Sequence, residues 1–421
     1  MNILVLGGGA REHAICWSIK KSKECRELFC IPGNAGIREI AICEDINLKN
    51  KRELSKFCKE KVIELVIIGP EQYLEDGISD FLRSKKISVF GPSKKAAKLE
   101  TSKTFAKKFL LKNNINTANY SEFKSYSTAK KFIKKSKFPL VIKADGLAAG
   151  KGVIICSNKK EALIGLDTLM KQKKFGKAGN KIIIEEYLDG FEISYFAFFD
   201  KNSFLKLGYA LDHKRAFDEN KGPNTGGMGS FSPSKIVSKK MEDQILKKII
   251  KPTFKGLKNE NLTYRGILFF GLMITRKGPF VIEYNVRFGD PECQTLLCNL
   301  KTDLLKIIKL NIHDRLSEIK IKNTKQNVIT VVLASKGYPG KFKINSTLKN
   351  LSNASLIKGV EIFHGATTIK KGKVVSTGGR VLSITSKAKN LKTARIQAYK
   401  TIELIDWSNG FFRSDIGLKN S

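Results

Sequence analysis

The sequence predicts a multidomain α/β and α+β protein, and three observations carry that reading. Apolar strands alternate with helical segments through the first hundred residues, the signature of a parallel α/β unit. Longer β-rich runs then follow one another across the middle of the chain, predicting a mostly antiparallel sheet. After a polar stretch at 311–326, strands gather around one helix at 390–405 as an α+β unit. The expected divisions are 1–100, 101–325 and 326–421, with a small subdomain at about 119–188.

Composition excludes several classes. At 421 residues with 42% hydrophobic content the chain can bury several cores. No apolar run approaches the roughly 20 residues of a membrane span. The opening MNILVLGGGA has no basic leader and reads as a first strand, not a signal peptide. Eight cysteines without a CxxC pair and four scattered histidines give little support to a zinc site or a disulfide framework. Reduced thiols, a cytoplasmic location and a monomer are the expectations. The net charge of +38 comes mostly from Lys spread along the whole length, with abundant Asn and Ile, which reads as nucleotide bias. A specific nucleic-acid face would concentrate its cations and interleave aromatics.

Residues 2–6 form the first strand and GGGAREHA the turn into a helix. Gly7-x-Gly9 begins like a dinucleotide fingerprint, but Glu12 stands where Gly or Ala is needed, so a nicotinamide oxidoreductase is disfavoured. A helix N-terminus suited to an anion remains. Strands at 62–68 and 87–90, with a helix at 77–85 between them, complete the unit. The turns at 7–9, 32–36 and 69–71 all follow strand ends and should share one cleft. An amphipathic helix is expected at 101–113, with Phe105, Phe109 and Leu110 toward the core.

PLVIKADGLAAGKGVII at 139–155 places glycines 146, 150 and 152 between two strands. The Gly146 to Lys151 spacing is one residue short of a P-loop, and a strand follows instead of a helix. A glycine flap lying over phosphates fits better, with Lys143 beside it. KIIIEEYL at 181–188 is a buried-type strand ending in acids. Asp212, His213, Lys214 and Arg215 lead into GPNTGGMGSFSP at 222–233, where four glycines and two prolines forbid regular structure. That loop and its preceding cations suit a small carboxylate, and Thr377-Gly378-Gly379-Arg380 reads as a backbone-guided edge of the substrate cleft. His213 reads either as a base or as a hydrogen-bonded structural residue. In FVIEYNVRFGDPECQ at 280–294, alternation sends Glu283, Asn285 and Arg287 to one face. The first two are hard oxygen ligands for a divalent cation, and Arg287 can grip an anion with two prongs. Asp290-Pro291 reads as the cap and first residue of a helix.

RFGDPECQ at 287–294, with the 222–233 loop, resembles the phosphoribosylamine–glycine ligases (glycinamide ribonucleotide synthetases) of the ATP-grasp superfamily. The likeness runs from LGGGAREHA at 6–14 to FRSDIG at 412–417. It implies a central ATP-grasp domain with a flap, and ATP-dependent joining of glycine to 5-phosphoribosylamine through glycyl phosphate. ATP with Mg²⁺ or Mn²⁺ would be required. By this resemblance Lys103, Lys143, Gly146, Gly150, Lys151, Gly152, Glu185, Glu186, Leu188 and Glu192 would bind the nucleotide, and Glu283 and Asn285 the metal. Gly9, Glu12, Asn34, Glu71, Asn224, Gly226, Gly227, Arg287 and Asp290 would contact the other substrates. Arg287, Lys143, Asp212 and Lys214 would serve catalysis. The sequence departs from the family at Gly8 and Ala10, where Asn and Gly are usual, and at Cys293, where Thr is common. Another ATP-grasp carboxylate–amine ligase or a purine-pathway carboxylase is the alternative.

Overall fold

A computed structural model describes residues 1–148, 152–172 and 176–418. The N-terminal sheet has five parallel strands in the order Ile42–Cys43, Glu27–Pro32, Asn2–Gly7, Leu65–Ile68, Ser88–Phe90. Asn2–Gly7 and Leu65–Ile68 are buried along their whole length, which is why they read as continuous apolar runs rather than alternating ones. The strand expected from residue 62 starts three residues later. Val62 is 63% exposed at φ 50°, in the turn that leaves the helix Lys51–Glu60. The helix expected at 77–85 is Ile78–Ser84, preceded by a short helix Glu71–Glu75, the two separated at Gly77 with φ 74°. Lys103–Lys112 forms the amphipathic helix, with the Ser102 hydroxyl accepting from the Phe105 N–H as its cap.

The small subdomain is a four-stranded sheet ordered Tyr120–Phe123, Ile182–Glu186, Leu140–Ala144, Val153–Cys156. Its glycine loop joins the last two strands; Gly150 and Lys151 lie outside the described residues. The large sheet is antiparallel and nine-stranded, and it runs without a break from the middle of the chain into the C-terminal segment. Gly229–Ser232 is the seam. It pairs with Phe204–Asp212 on one side and Asn327–Ser335 on the other. The segment 222–233 thus lies where the middle and C-terminal segments meet, and it is not irregular throughout as its glycines and prolines predicted. Lys221–Asn224 pairs with Arg215–Phe217, and Gly229–Ser232 is a buried central strand in which Gly229 is accepted because a Cβ there would fall 2.7 Å from the Thr330 carbonyl. Among the described residues, no helix is long and apolar enough to cross a membrane.

Candidate active site

Gly278–Asn285 ends at the wall of a cavity of about 640 Å³. Strict alternation would put Val281 and Glu283 on one face. Instead the pairing with Gly266–Thr275 skips Ile282, a β-bulge of the kind that re-aims side chains near functional sites. Val281 and Tyr284 both enter the core, while Ile282, Glu283 and Asn285 line the cavity. Burial works against the charge of Glu283, but Lys214, Lys103 and Lys143 outweigh it and hold the carboxyl at about 2. Asn285 Nδ2 lies 3.4 Å from Glu283 Oε1. The pair therefore offers an ionised carboxylate and an amide oxygen to the cavity. No cluster of three or more His, Cys, Asp or Glu among the described residues could enclose a metal ion. Two oxygen donors beside a cavity of nucleotide size fit Mg²⁺, which usually keeps water and takes phosphate oxygens to complete its shell.

Arg287 does not stand open to an anion as the alternation suggested. Its Nε donates to Glu71 at 2.8 Å, Nη2 to Glu100 at 2.8 Å and to Asn285 Oδ1 at 3.2 Å, and Nη1 to the Phe288 carbonyl at 3.1 Å. Most of its donors are thus spent on protein acceptors, and the guanidinium fixes the carboxylates around it. Glu71 feels its own burial, but Arg287 and Arg11 bring it down to about 2. Glu100 is more deeply enclosed, and burial pushes it up to about 6 despite Arg287.

Across the cavity, Lys143 Nζ is 2.8 Å from Glu185 Oε2 and donates to the Ile282 carbonyl at 3.0 Å. Lys143 thus ties the small sheet to the strand Gly278–Asn285, and two of its three N–H groups have partners among the described residues. Lys107 Nζ stands 3.1 Å from Glu185 Oε1, and burial lowers this lysine to about 8. Lys103, Gly146, Gly152, Glu186, Leu188 and Glu192 also line the cavity. Lys214 bonds Glu192 at 2.7 Å. Asp212 forms no hydrogen bond with its side chain among the described residues. Burial, with Glu292, Glu192 and Glu283 adding to it against Lys214, raises its carboxyl to about 7. His213 does not line the cavity; its ring packs against Phe231, and burial lowers it to about 4. Its buried Nδ1 has no hydrogen-bond partner among the described residues, so it is a packed ring and not the hydrogen-bonded one expected.

Two expected substrate contacts are turned away from both cavities near the site. Glu12 caps the Gly9 N–H at 2.7 Å and pairs with Arg11 at 2.6 Å, buried against Gly7 and Gly69. This explains the failed dinucleotide position, because a carboxylate fills the space that a small residue leaves for helix packing. Asn34 donates to the carbonyls of Gly8 at 2.9 Å and His364 at 2.6 Å and accepts from the Ile37 N–H at 2.9 Å. It pins the N-terminal turn to the C-terminal segment. Gly9 and Asp290 border a second cavity of about 260 Å³. Asp290 and Glu71 also line the large one, with Asn224 and Gly226, whereas Gly227 sits behind the wall. The helix after Asp290 runs Glu292–Asn299 with Pro291 as its cap, one residue later than expected.

Sequence reasoning missed Glu100, Lys107, Glu292 and Tyr338, and it marked 377–380 only as a backbone-guided cleft edge, whereas the Arg380 side chain itself lines both cavities. Only Glu292, inside the RFGDPECQ motif, carried a local signal. It is buried and accepts from Ser194 Oγ at 3.0 Å. The others come from elements whose packing partners lie far away in sequence.

An antiparallel sheet that sets Glu283 and Asn285 on a cavity wall, faced by a smaller sheet with a glycine loop, defines an ATP-grasp enzyme. Models of the phosphoribosylglycinamide synthetase N domain, ATP-grasp (A) domain and C domain match residues 1–100, 101–293 and 328–419. The chain belongs to the phosphoribosylglycinamide synthetase family. It is 43% identical to the phosphoribosylamine–glycine ligase of Brucella melitensis over 417 residues, 99% of this chain and 97% of that protein. The crystal structure of phosphoribosylamine–glycine ligase from Thermotoga maritima superposes with a TM-score of 0.87 at 31% identity, covering 99% of this chain and all of that one. A biotin carboxylase from Campylobacter jejuni, in complex with a β-γ-ATP ligand, shares the fold at 14% identity and a TM-score of 0.74, covering 99% of this chain and 94% of that one.

Proposed function

We propose that this protein joins glycine to 5-phosphoribosylamine at the expense of ATP, giving glycinamide ribonucleotide, ADP and phosphate. A carboxylate oxygen of glycine attacks the γ-phosphorus and ADP leaves, forming glycyl phosphate. The phosphoribosylamine nitrogen then attacks the acyl carbon, phosphate departs with that glycine oxygen, and the amine loses a proton. No enzyme nucleophile is required. Glu283 and Asn285 would hold Mg²⁺ or Mn²⁺, which supplies charge neutralisation on the phosphates. Lys103 and Lys143 add positive charge, and the strand end at Glu185, Glu186 and Leu188 faces the base, with Glu192 toward the ribose. Asn224 and Gly226 border the place for glycine, with Asp290, Gly9 and Glu71 toward the phosphoribosylamine. Asp212, at about 7, can accept and release a proton near neutrality.

The observation that carries this reading is the convergence of Glu283, three lysines and the small-residue loop on one cavity. Glycine labelled with ¹⁸O in its carboxyl tests it. The expected result is label in the released phosphate, dependent on phosphoribosylamine. Unlabelled phosphate, or release driven by bicarbonate in place of glycine, would overturn it.

A further inference from the structure

The large cavity and the smaller one beside Gly8, Gly9 and Ala10 share two wall residues, Asp290 and Arg380. Arg380 opens the strand Arg380–Ala388 of the C-terminal segment. There the pairing with Asn327–Ser335 slips between Leu333 and Ala334, so a bulge re-aims the strand end. The guanidinium Nη1 donates to the carbonyls of Asp290 at 2.6 Å, Gly226 at 2.8 Å and, more weakly, Gly227 at 3.4 Å. Nη2 donates to Asp290 Oδ2 at 3.2 Å. Gln294 Nε2 holds the other oxygen of that carboxylate at 2.7 Å. From the same segment, the Tyr338 hydroxyl accepts from the Gly226 N–H at 3.0 Å. A Cβ on Gly226 would fall 2.9 Å from Arg380 Cζ, so glycine there is what lets the guanidinium lie flat on the loop. Arg380 Nε has no acceptor among the described residues, and the side chain is 25% exposed.

We propose that Arg380 is a positioning residue for the joining step. It sets the Asp290 carboxylate and the Gly226–Gly227 backbone at the boundary of the two cavities, so that activated carboxyl and attacking amine meet there. The planar fork reaches several carbonyls and a carboxylate at once, which a lysine ammonium cannot do. The assignment rests on the function proposed above. It also assigns the C-terminal segment a part in the chemistry, although the metal-binding and phosphate-facing residues all lie before residue 300.

Steady-state kinetics of Arg380→Met, Arg380→Lys and Tyr338→Phe test it. Misplacing a reacting group by about 1 Å costs on the order of 100-fold. Arg380→Met is therefore expected to lower kcat by about that factor and to raise KM for glycine and phosphoribosylamine roughly tenfold. KM for ATP should stay within about twofold, because Arg380 bonds none of the phosphate-facing lysines. Arg380→Lys should recover only a small part, and Tyr338→Phe should show the same substrate selectivity at smaller amplitude. Millimolar guanidinium should partly rescue Arg380→Ala. Unchanged kinetics, or an equal rise in all three KM values, would overturn the proposal. If Arg380→Met does not fold, Arg380→Lys and Tyr338→Phe decide by the same criterion. An inactive wild-type chain would sink the function itself and this assignment with it, whereas an active wild type with an unaffected variant sinks this assignment alone.

Discussion

Replacing Arg287 by Met should cost stability in a way that depends on pH, because the guanidinium neutralises Glu71 and Glu100 inside the protein. In the native state Glu71 lies at about 2 against an ordinary 4.5, with Arg287 and Arg11 overcoming its burial. A folded value below the unfolded one stabilises above pH 4.5, and that benefit is lost as pH falls toward 2. The gap is worth roughly 3 kcal/mol at 1.36 kcal/mol per pH unit. Without Arg287 the benefit shrinks, and Glu71 and Glu100 face each other with Arg11 as the remaining arginine nearby. A loss of about 3–5 kcal/mol is expected at pH 7.5, the range for breaking a buried pair. In the variant both carboxyls rise and take up protons on acidification, so the deficit should narrow by about 1–2 kcal/mol between pH 7.5 and 5. Urea unfolding of the wild type, Arg287→Met, Glu71→Gln and the double variant at both pH values measures this. Glu71→Gln should recover part of the Arg287→Met loss, the two sites being in direct contact. A deficit under about 1 kcal/mol at pH 7.5, or one that neither pH nor Glu71→Gln changes, would refute the reasoning.

Three other predictions are independent of that one. Glu283→Ala should lower turnover by about 10²–10³ while leaving the protein folded, and chelation should do the same, reversibly on adding Mg²⁺; half the wild-type rate would contradict the metal assignment. His13 and His364 are held by burial at about 3 and about 4, with the charge of His364 adding to the effect on His13, whose Nδ1 accepts from the His364 N–H at 2.9 Å. The unfolded chain therefore protonates first, and stability should fall between pH 6.5 and about 4 with a slope approaching roughly 1.4 kcal/mol per pH unit for each histidine. His13→Gln should reduce that slope, and an unaltered slope in unfolding measurements across the window would count against it. Arg413 is 1% exposed, with Asp415 held at 2.7 and 2.8 Å and Asn220 at 3.0 Å, so the FRSDIG tail anchors the hairpin of Arg215–Phe217 and Lys221–Asn224, whose second strand opens the glycine-rich segment. Arg413→Met should destabilise by about 3–5 kcal/mol and raise KM for glycine; a melting curve like the wild type's would remove the anchor from the account.

Local pattern determined much of this protein. The buried strands Asn2–Gly7 and Leu65–Ile68 and the shared cavity face of Glu283 and Asn285 were legible, because apolar runs and side-chain alternation act over a few residues. The glycines and prolines of 222–233 hid the central strand Gly229–Ser232, whose pairing is decided by strands far away in sequence. What the charged groups do was not legible either. Glu12 and Asn34 sit in a glycine-rich turn that looks made for a ligand, yet their polar atoms satisfy backbone groups of neighbouring turns. Arg287, two residues past the strand end, reaches the cavity wall as expected, but Glu71 and Glu100 arrive from other elements and take its donors. The glycines before Arg380 marked a cleft edge, but not the work of its side chain, because its partners Asp290 and Gly226 come from distant segments. Periodicity decides which way a side chain points. A hydrogen bond or ion pair depends on which partner comes within about 3 Å, and chain segments hundreds of residues apart settle that only when they pack.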